Sequence, residues 1–169
     1  MTSGRDTAKG RRKRIDVWQQ GTDEFSRANL HGLDGAPGDF VLWGAQREGF
    51  RHAWRVFFRD WDVLLSPAIN VLAYPHIERA WPADDSDLRL TLDVNGRAVP
   101  YFHGLVYPAP STVAGQPATA FPVETSRGGL PIGLQAVGPY LEDLTPLRFA
   151  ALLAREIGGF GKPAGYDAS

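Results

Sequence analysis

The chain offers few handles for chemistry. Its serines (Ser3, Ser26, Ser66, Ser86, Ser111, Ser126, Ser169) are dispersed and no two are adjacent. Its three lysines are Lys9 and Lys13 near the N-terminus and Lys162 near the C-terminus. A serine hydroxyl becomes a useful nucleophile only beside a base that takes its proton. A lysine can be that base only where burial or neighbouring groups make its neutral form accessible near pH 7. None of the three lies in an apolar strand that would desolvate it. There is no Gly-x-Ser-x-Gly elbow, no His-Glu-x-x-His and no glycine-rich phosphate loop ending in Lys-Ser/Thr. His31, His52, His76 and His103 are far apart and lack metal-ligand spacing, so they read as packed or surface side chains. Ser66 with His76 is the one candidate cryptic dyad. The acidic pairs Asp84-Asp85 and Glu142-Asp143 lie in loop-like stretches and read as solvated charge. The residues alone therefore predict no catalytic set, no metal site and no cofactor.

Composition narrows the class further. The chain has 169 residues, the length of one ordinary domain. With 43% hydrophobic and 22% charged residues, it matches a soluble globular protein and can bury a core. A formal net charge of −1 argues against binding nucleic acid or a membrane surface through the whole domain. The absence of cysteine excludes disulfides, thiolate metal sites and a cysteine nucleophile. No apolar run is long enough for a membrane span. No apolar stretch of secretory type follows the basic N-terminus, so the chain reads as cytoplasmic.

The elements that would position any site can be read in order. Residues 1–14, with Lys9, Arg11, Arg12, Lys13 and Arg14, read as a disordered basic arm, and residues 15–169 as the folded segment. Residues 15–43 are mixed, with a Gly/Pro-rich loop from Gly32 to Gly38. Phe50, Ala53, Trp54, Phe57, Phe58 and Trp61 then recur at helical spacing and predict a core-facing stripe. Arg47, Arg51, Arg55 and Arg59 repeat every four residues along another face, expected to be solvated or paired with carboxylates. Asp62–Pro67 reads as a buried strand stopped by proline. After an irregular stretch, Asn95-Gly96 predicts a hairpin turn between Leu90–Leu92 and Ala98-Val99. Residues 101–114 carry a helical pattern that Pro108 and Pro110 must interrupt. Pro117–Val123 and Pro131–Gly138 are two more candidate strands. The last helix has Thr145 as N-cap, Pro146 at its first position and Gly158-Gly159 as its stop. Its expected apolar face is Leu144, Leu147, Ala151, Ala154 and Ile157. Strands alternating with helices predict an α/β layer architecture.

Several of these segments, in order and spacing, resemble landmarks of the amidase signature family. They are the Asp62–Pro67 strand behind an aromatic helix, Pro100-Tyr101 and Ala114-Gly115-Gln116-Pro117-Ala118. They continue with Gly129-Leu130-Pro131-Ile132-Gly133-Leu134-Gln135-Ala136-Val137-Gly138-Pro139 and the terminal Pro163-Ala164-Gly165-Tyr166. The resemblance covers roughly residues 45–167 and corresponds to the C-terminal part of a family member. It implies a partial α/β/α layered fold with a mixed sheet. It also implies hydrolysis of carboxylic amides by a serine activated through a second serine and a lysine, with a Gly/Ser-rich loop as oxyanion hole. In the family those elements precede the segment present here, so the resemblance implies no catalytic residue in this chain. It does map an acyl-pocket wall onto Phe102, Leu105 and Ala109, a role that plain core packing would fit as well.

Three functions follow as expectations. The first is a truncated amidase without activity of its own. The second is one part of a split amidase, completed by a separate N-terminal chain. The third is a non-catalytic module that uses the basic arm, with nucleic acid disfavoured by the net charge. In the first, a cut sheet leaves an unpaired edge that favours self-association.

Overall fold

The computed structural model describes Arg12 and residues 15–16, 18–21, 24–76, 90–162 and 165. The basic arm, apart from Arg12, and the Asp84-Asp85 pair lie outside the described residues. So do all of the terminal Pro163–Tyr166 landmark but Gly165.

Helices α1 (Glu24–Asp34) and α2 (Pro37–Phe57) occupy the stretch expected to be mixed. Two features explain the difference. Pro37 sits at the start of α2, where its fixed φ suits the helix and its missing N–H costs nothing. The Asp39 carboxylate then reaches back to accept the Ala36 N–H at 2.8 Å, satisfying a donor that the helix leaves unpaired. The Gly/Pro run thus starts a helix, and only Gly35-Ala36 remain as the link between α1 and α2.

Strands β1 (Leu64–Pro67), β5 (Pro131–Val137) and β4 (Ala118–Thr125) form one antiparallel sheet in the order β1-β5-β4. In register, β5 sets Val137 against both Leu64 and Ala118, and Gln135 against both Ser66 and Ala120. Strand β4 runs through Pro122 to Thr125, two residues past the expected end at Val123, with a bulge between Pro122 and Glu124. A bulge is where a strand tolerates a residue that cannot donate to the ladder. Strand β1 lies at the edge, and Leu65 is exposed where full burial was expected. Every ladder among the described residues is antiparallel, so the parallel pairing of a mixed sheet is not among them.

The hairpin expected around Asn95-Gly96 is present as β2 (Thr91–Val94) and β3 (Arg97–Pro100). Asn95 and Gly96 have φ of 55° and 79°, and the Gly96 N–H donates to Asp93 Oδ1 at 2.9 Å. Two consecutive left-handed residues give the twist that a tight hairpin needs. The prolines divide the next segment into a 3-10 turn (Tyr101–Leu105) and α3 (Ala109–Ala114).

Helix α4 (Leu144–Ile157) covers one face of the sheet, with Phe149 against Phe121 at 6.4 Å between ring centroids. Side chains alternate along a strand, so Leu64, Ser66, Gln135 and Val137 share the opposite face. On that face Leu64 lines a groove together with residues of α2 and α3. Helices on both faces of a sheet make the layered α/β fold.

The expected face of α4 is displaced. Leu144 and Leu147 are 61% and 51% exposed, and Ala151 and Ile157 are also outside. Of the expected face only Ala154 points inward, together with Pro146, Phe149, Ala150 and Leu153. Apolar residues run most of the way round this helix, so periodicity alone marks two faces. Thr145 does not cap it: its hydroxyl pairs with Glu142, and the N-cap position is Asp143.

Candidate functional site

An open groove of about 1100 Å³ lies on the helical side of the sheet. Helix α1 contributes Glu24, Phe25 and Ala28, and α2 contributes Phe50, Ala53, Trp54 and Phe57. The spacing of those α2 residues, i, i+3, i+4 and i+7, is what puts all four on one side. Leu64 of β1 closes the base, with Asn70 nearby. The far wall is Phe102, His103, Leu105 and Val106 of the 3-10 turn and its end, followed by Ala109, Pro110 and Val113 of α3.

The three residues expected at an acyl pocket, Phe102, Leu105 and Ala109, therefore lie along one wall of one groove. Phe102 is held by a stack on Phe25 (5.7 Å, 22° between planes) and by a tilted contact with Trp18 at 6.3 Å. The aromatic stripe of α2 was expected to face a core. It faces this groove instead, and Phe50 and Trp61 remain 55% and 62% exposed.

The arginine row has a use that sequence reasoning missed. Arg47 Nε donates to Val113 O at 2.8 Å and Arg51 Nε to Ala114 O at 2.9 Å. These are carbonyls of the last turn of α3, where a cation is favoured by the helix dipole and by carbonyls lacking helical partners. Arg51 also pairs with Glu48 and lies 4.7 Å over the Tyr140 ring. Gly115 makes this close approach feasible, having φ +75°, and a β-carbon there would lie 3.3 Å from both guanidinium groups. The two arginines clamp α3, the helix that carries part of the groove wall, to α2.

The catalytic candidates do not come together. Ser66 Oγ accepts from Gln135 Nε2 at 3.0 Å and donates to Pro67 O, so its partners are an amide and a carbonyl, with His76 in neither role. Ser111 Oγ donates to Pro108 O, and Ser126 Oγ accepts from the Leu130 N–H. Among the described residues no three His, Cys, Asp or Glu side chains are grouped to hold a metal. His31 sits edge-on to Trp43 and His103 edge-on to Phe25. Among the described residues no helix is long and apolar enough to cross a membrane.

The Amidase family model matches residues 7–147, most of the chain. The chain belongs to the amidase family. It is 41% identical over 107 residues to a glutamyl-tRNA(Gln) amidotransferase subunit of Rhodospirillum rubrum, a match covering 63% of this chain and 18% of that protein. It is 33% identical over 97 residues to a 6-aminohexanoate-cyclic-dimer hydrolase of Paenarthrobacter ureafaciens, covering 55% of this chain and 18% of that one. The crystal structure of an amidase superposes with a TM-score of 0.60 at 24% identity, over 83% of this chain and 30% of the other. The matched region thus spans about a fifth of the length of these curated relatives.

Proposed function

We propose that these residues form the C-terminal portion of an amide-hydrolysing site and are inert toward amides by themselves. They supply the apolar wall of the acyl pocket, with Phe102, Leu105 and Ala109 against α1 and α2, together with part of the sheet. The nucleophile, the base and the oxyanion hole come from a complementary N-terminal amidase segment. One observation carries this reading: an open aromatic groove lies on the scaffold of an amide hydrolase, and Ser66, Ser111 and Ser126 are hydrogen-bonded to amides and carbonyls, not to a base. A tetrahedral intermediate needs both an activated nucleophile and donors for its oxyanion, and a pocket wall provides neither.

The same reading accounts for the exposed apolar side chains of α2 and α4. In the completed protein they would be covered, and an unpaired sheet edge at β1 or β4 would gain a neighbour. Self-association is the alternative way for the isolated chain to cover them.

The test measures ammonia release from a panel of primary amides by the chain alone, by an N-terminal amidase segment alone and by the two co-expressed. We expect activity only from the pair. Turnover by the chain alone, or a pair that neither associates nor turns over, would sink the proposal.

A further inference from the structure

Away from the groove, the tip of the β2–β3 hairpin carries a reactive pair. Asn95 and Gly96 are both exposed there, with φ of 55° and 79°. Asn29 and Asn70 precede leucine and valine, and Asn95 alone precedes glycine. Glycine has no side chain to shield its nitrogen or to hinder rotation about it. That nitrogen can attack Asn95 Cγ and close a five-membered imide, while the side-chain nitrogen leaves as ammonia with the Gly96 proton. Water then opens the imide at either carbonyl. The product is aspartate, or isoaspartate with the main chain running through the side-chain carbon. Isoaspartate lengthens the backbone by a methylene at a turn that needs two consecutive left-handed residues.

The same nitrogen is engaged in the closed hairpin. Its N–H donates to Asp93 Oδ1 at 2.9 Å. To attack, the nitrogen must release that proton, which the carboxylate holds, and the negative charge developing on it would face a like charge. The strands flanking the turn, with Val94 opposite Arg97 and Asp93 opposite Ala98, also resist the backbone rotation that ring closure requires. We infer that Asn95 is a site of spontaneous deamidation, and that Asp93 keeps it latent while the hairpin is closed. Conversion is then a one-way record of hairpin opening. Its consequence reaches the groove wall, because β3 runs directly into the 3-10 turn that carries Phe102 and His103. Buried Leu92 of β2 also packs beside Gly104 of that turn.

The test incubates the whole chain at mildly alkaline pH, natively and in guanidinium chloride, and follows the tryptic peptide Leu90–Arg97 by liquid chromatography and mass spectrometry. Native conversion to aspartate and isoaspartate is expected to be slower than in denaturant by about tenfold or more. Asp93→Ala should speed the native reaction by about threefold to tenfold, the worth of one hydrogen bond. Asp93→Asn keeps an acceptor without the charge and should fall between the two, so it carries the comparison where the alanine variant does not fold by circular dichroism. No conversion in denaturant would overturn the site. Equal native and denatured rates, or a folded Asp93 variant that reacts no faster than the native chain, would overturn the protective role of Asp93.

Discussion

The sheet and the long helix of this molecule bury their apolar residues very differently. In β5, Ala136 and Val137 are 0% and 2% exposed, flanked by β1 and β4 and covered from both faces. In α2, twenty-one residues long, none is buried, and Phe40, Val41 and Leu42 are 76%, 74% and 63% exposed. Both segments are rich in apolar residues, so composition does not separate them. The difference is how much cover each finds among the described residues. Strand β5 finds its neighbours here, whereas α2 is anchored chiefly through two arginines and leaves its first turns bare.

That contrast can be broken by substitution. The largest effect is expected at the centre of the sheet. Ala136→Asp buries an unpaired charge and should cost about 4 kcal/mol or more, read as loss of the urea-unfolding transition by circular dichroism. A folded, cooperative variant would show that β5 is less enclosed than its exposure indicates. An intermediate effect is expected at the clamp. Gly115→Ala forces a side chain into the left-handed region beside both guanidinium groups and should cost about 1–2 kcal/mol. The same denaturation curve measures it, and no change would mean that the clamp is not what fixes α3. The smallest effect is expected on the bare turns of α2. Phe40→Ser and Leu42→Ser should each alter stability by less than about 0.5 kcal/mol while reducing hydrophobic-dye binding. A loss above about 1 kcal/mol would mean that this face is already covered in solution by another copy.

Much of the scaffold was legible because its signals are local. Asn95-Gly96 fixes its hairpin through two residues, and the β-strand runs near residues 117–123 and 131–138 needed only their apolar pattern and bounding turns. Phe102, Leu105 and Ala109, which the family resemblance marked and no pattern in the sequence did, share one wall of the groove. What periodicity could not supply was the side to which an element turns. The rings of α2 were assigned to a core because an aromatic stripe says what must be covered and not by what. Helix α4 has apolar residues on two faces, and only its docking on Phe121 selects one. The role of Arg47 and Arg51 depends on carbonyls 66 and 63 positions away, a separation at which no spacing rule applies.

The order of the strands also sets a sequence of events in time. Strands β4 and β5 are joined by a turn that Ser126 closes twice, through its own N–H to Leu130 O and through its hydroxyl to the Leu130 N–H. A contact so local forms at small entropic cost. Strand β1 must instead find β5 across the span that separates Ser66 from Gln135, 69 positions. The hairpin is therefore the template, and β1 is the late arrival. Leu64 at the start of β1 floors the groove, so we expect the groove to be completed late in folding and to open first when the edge strand detaches.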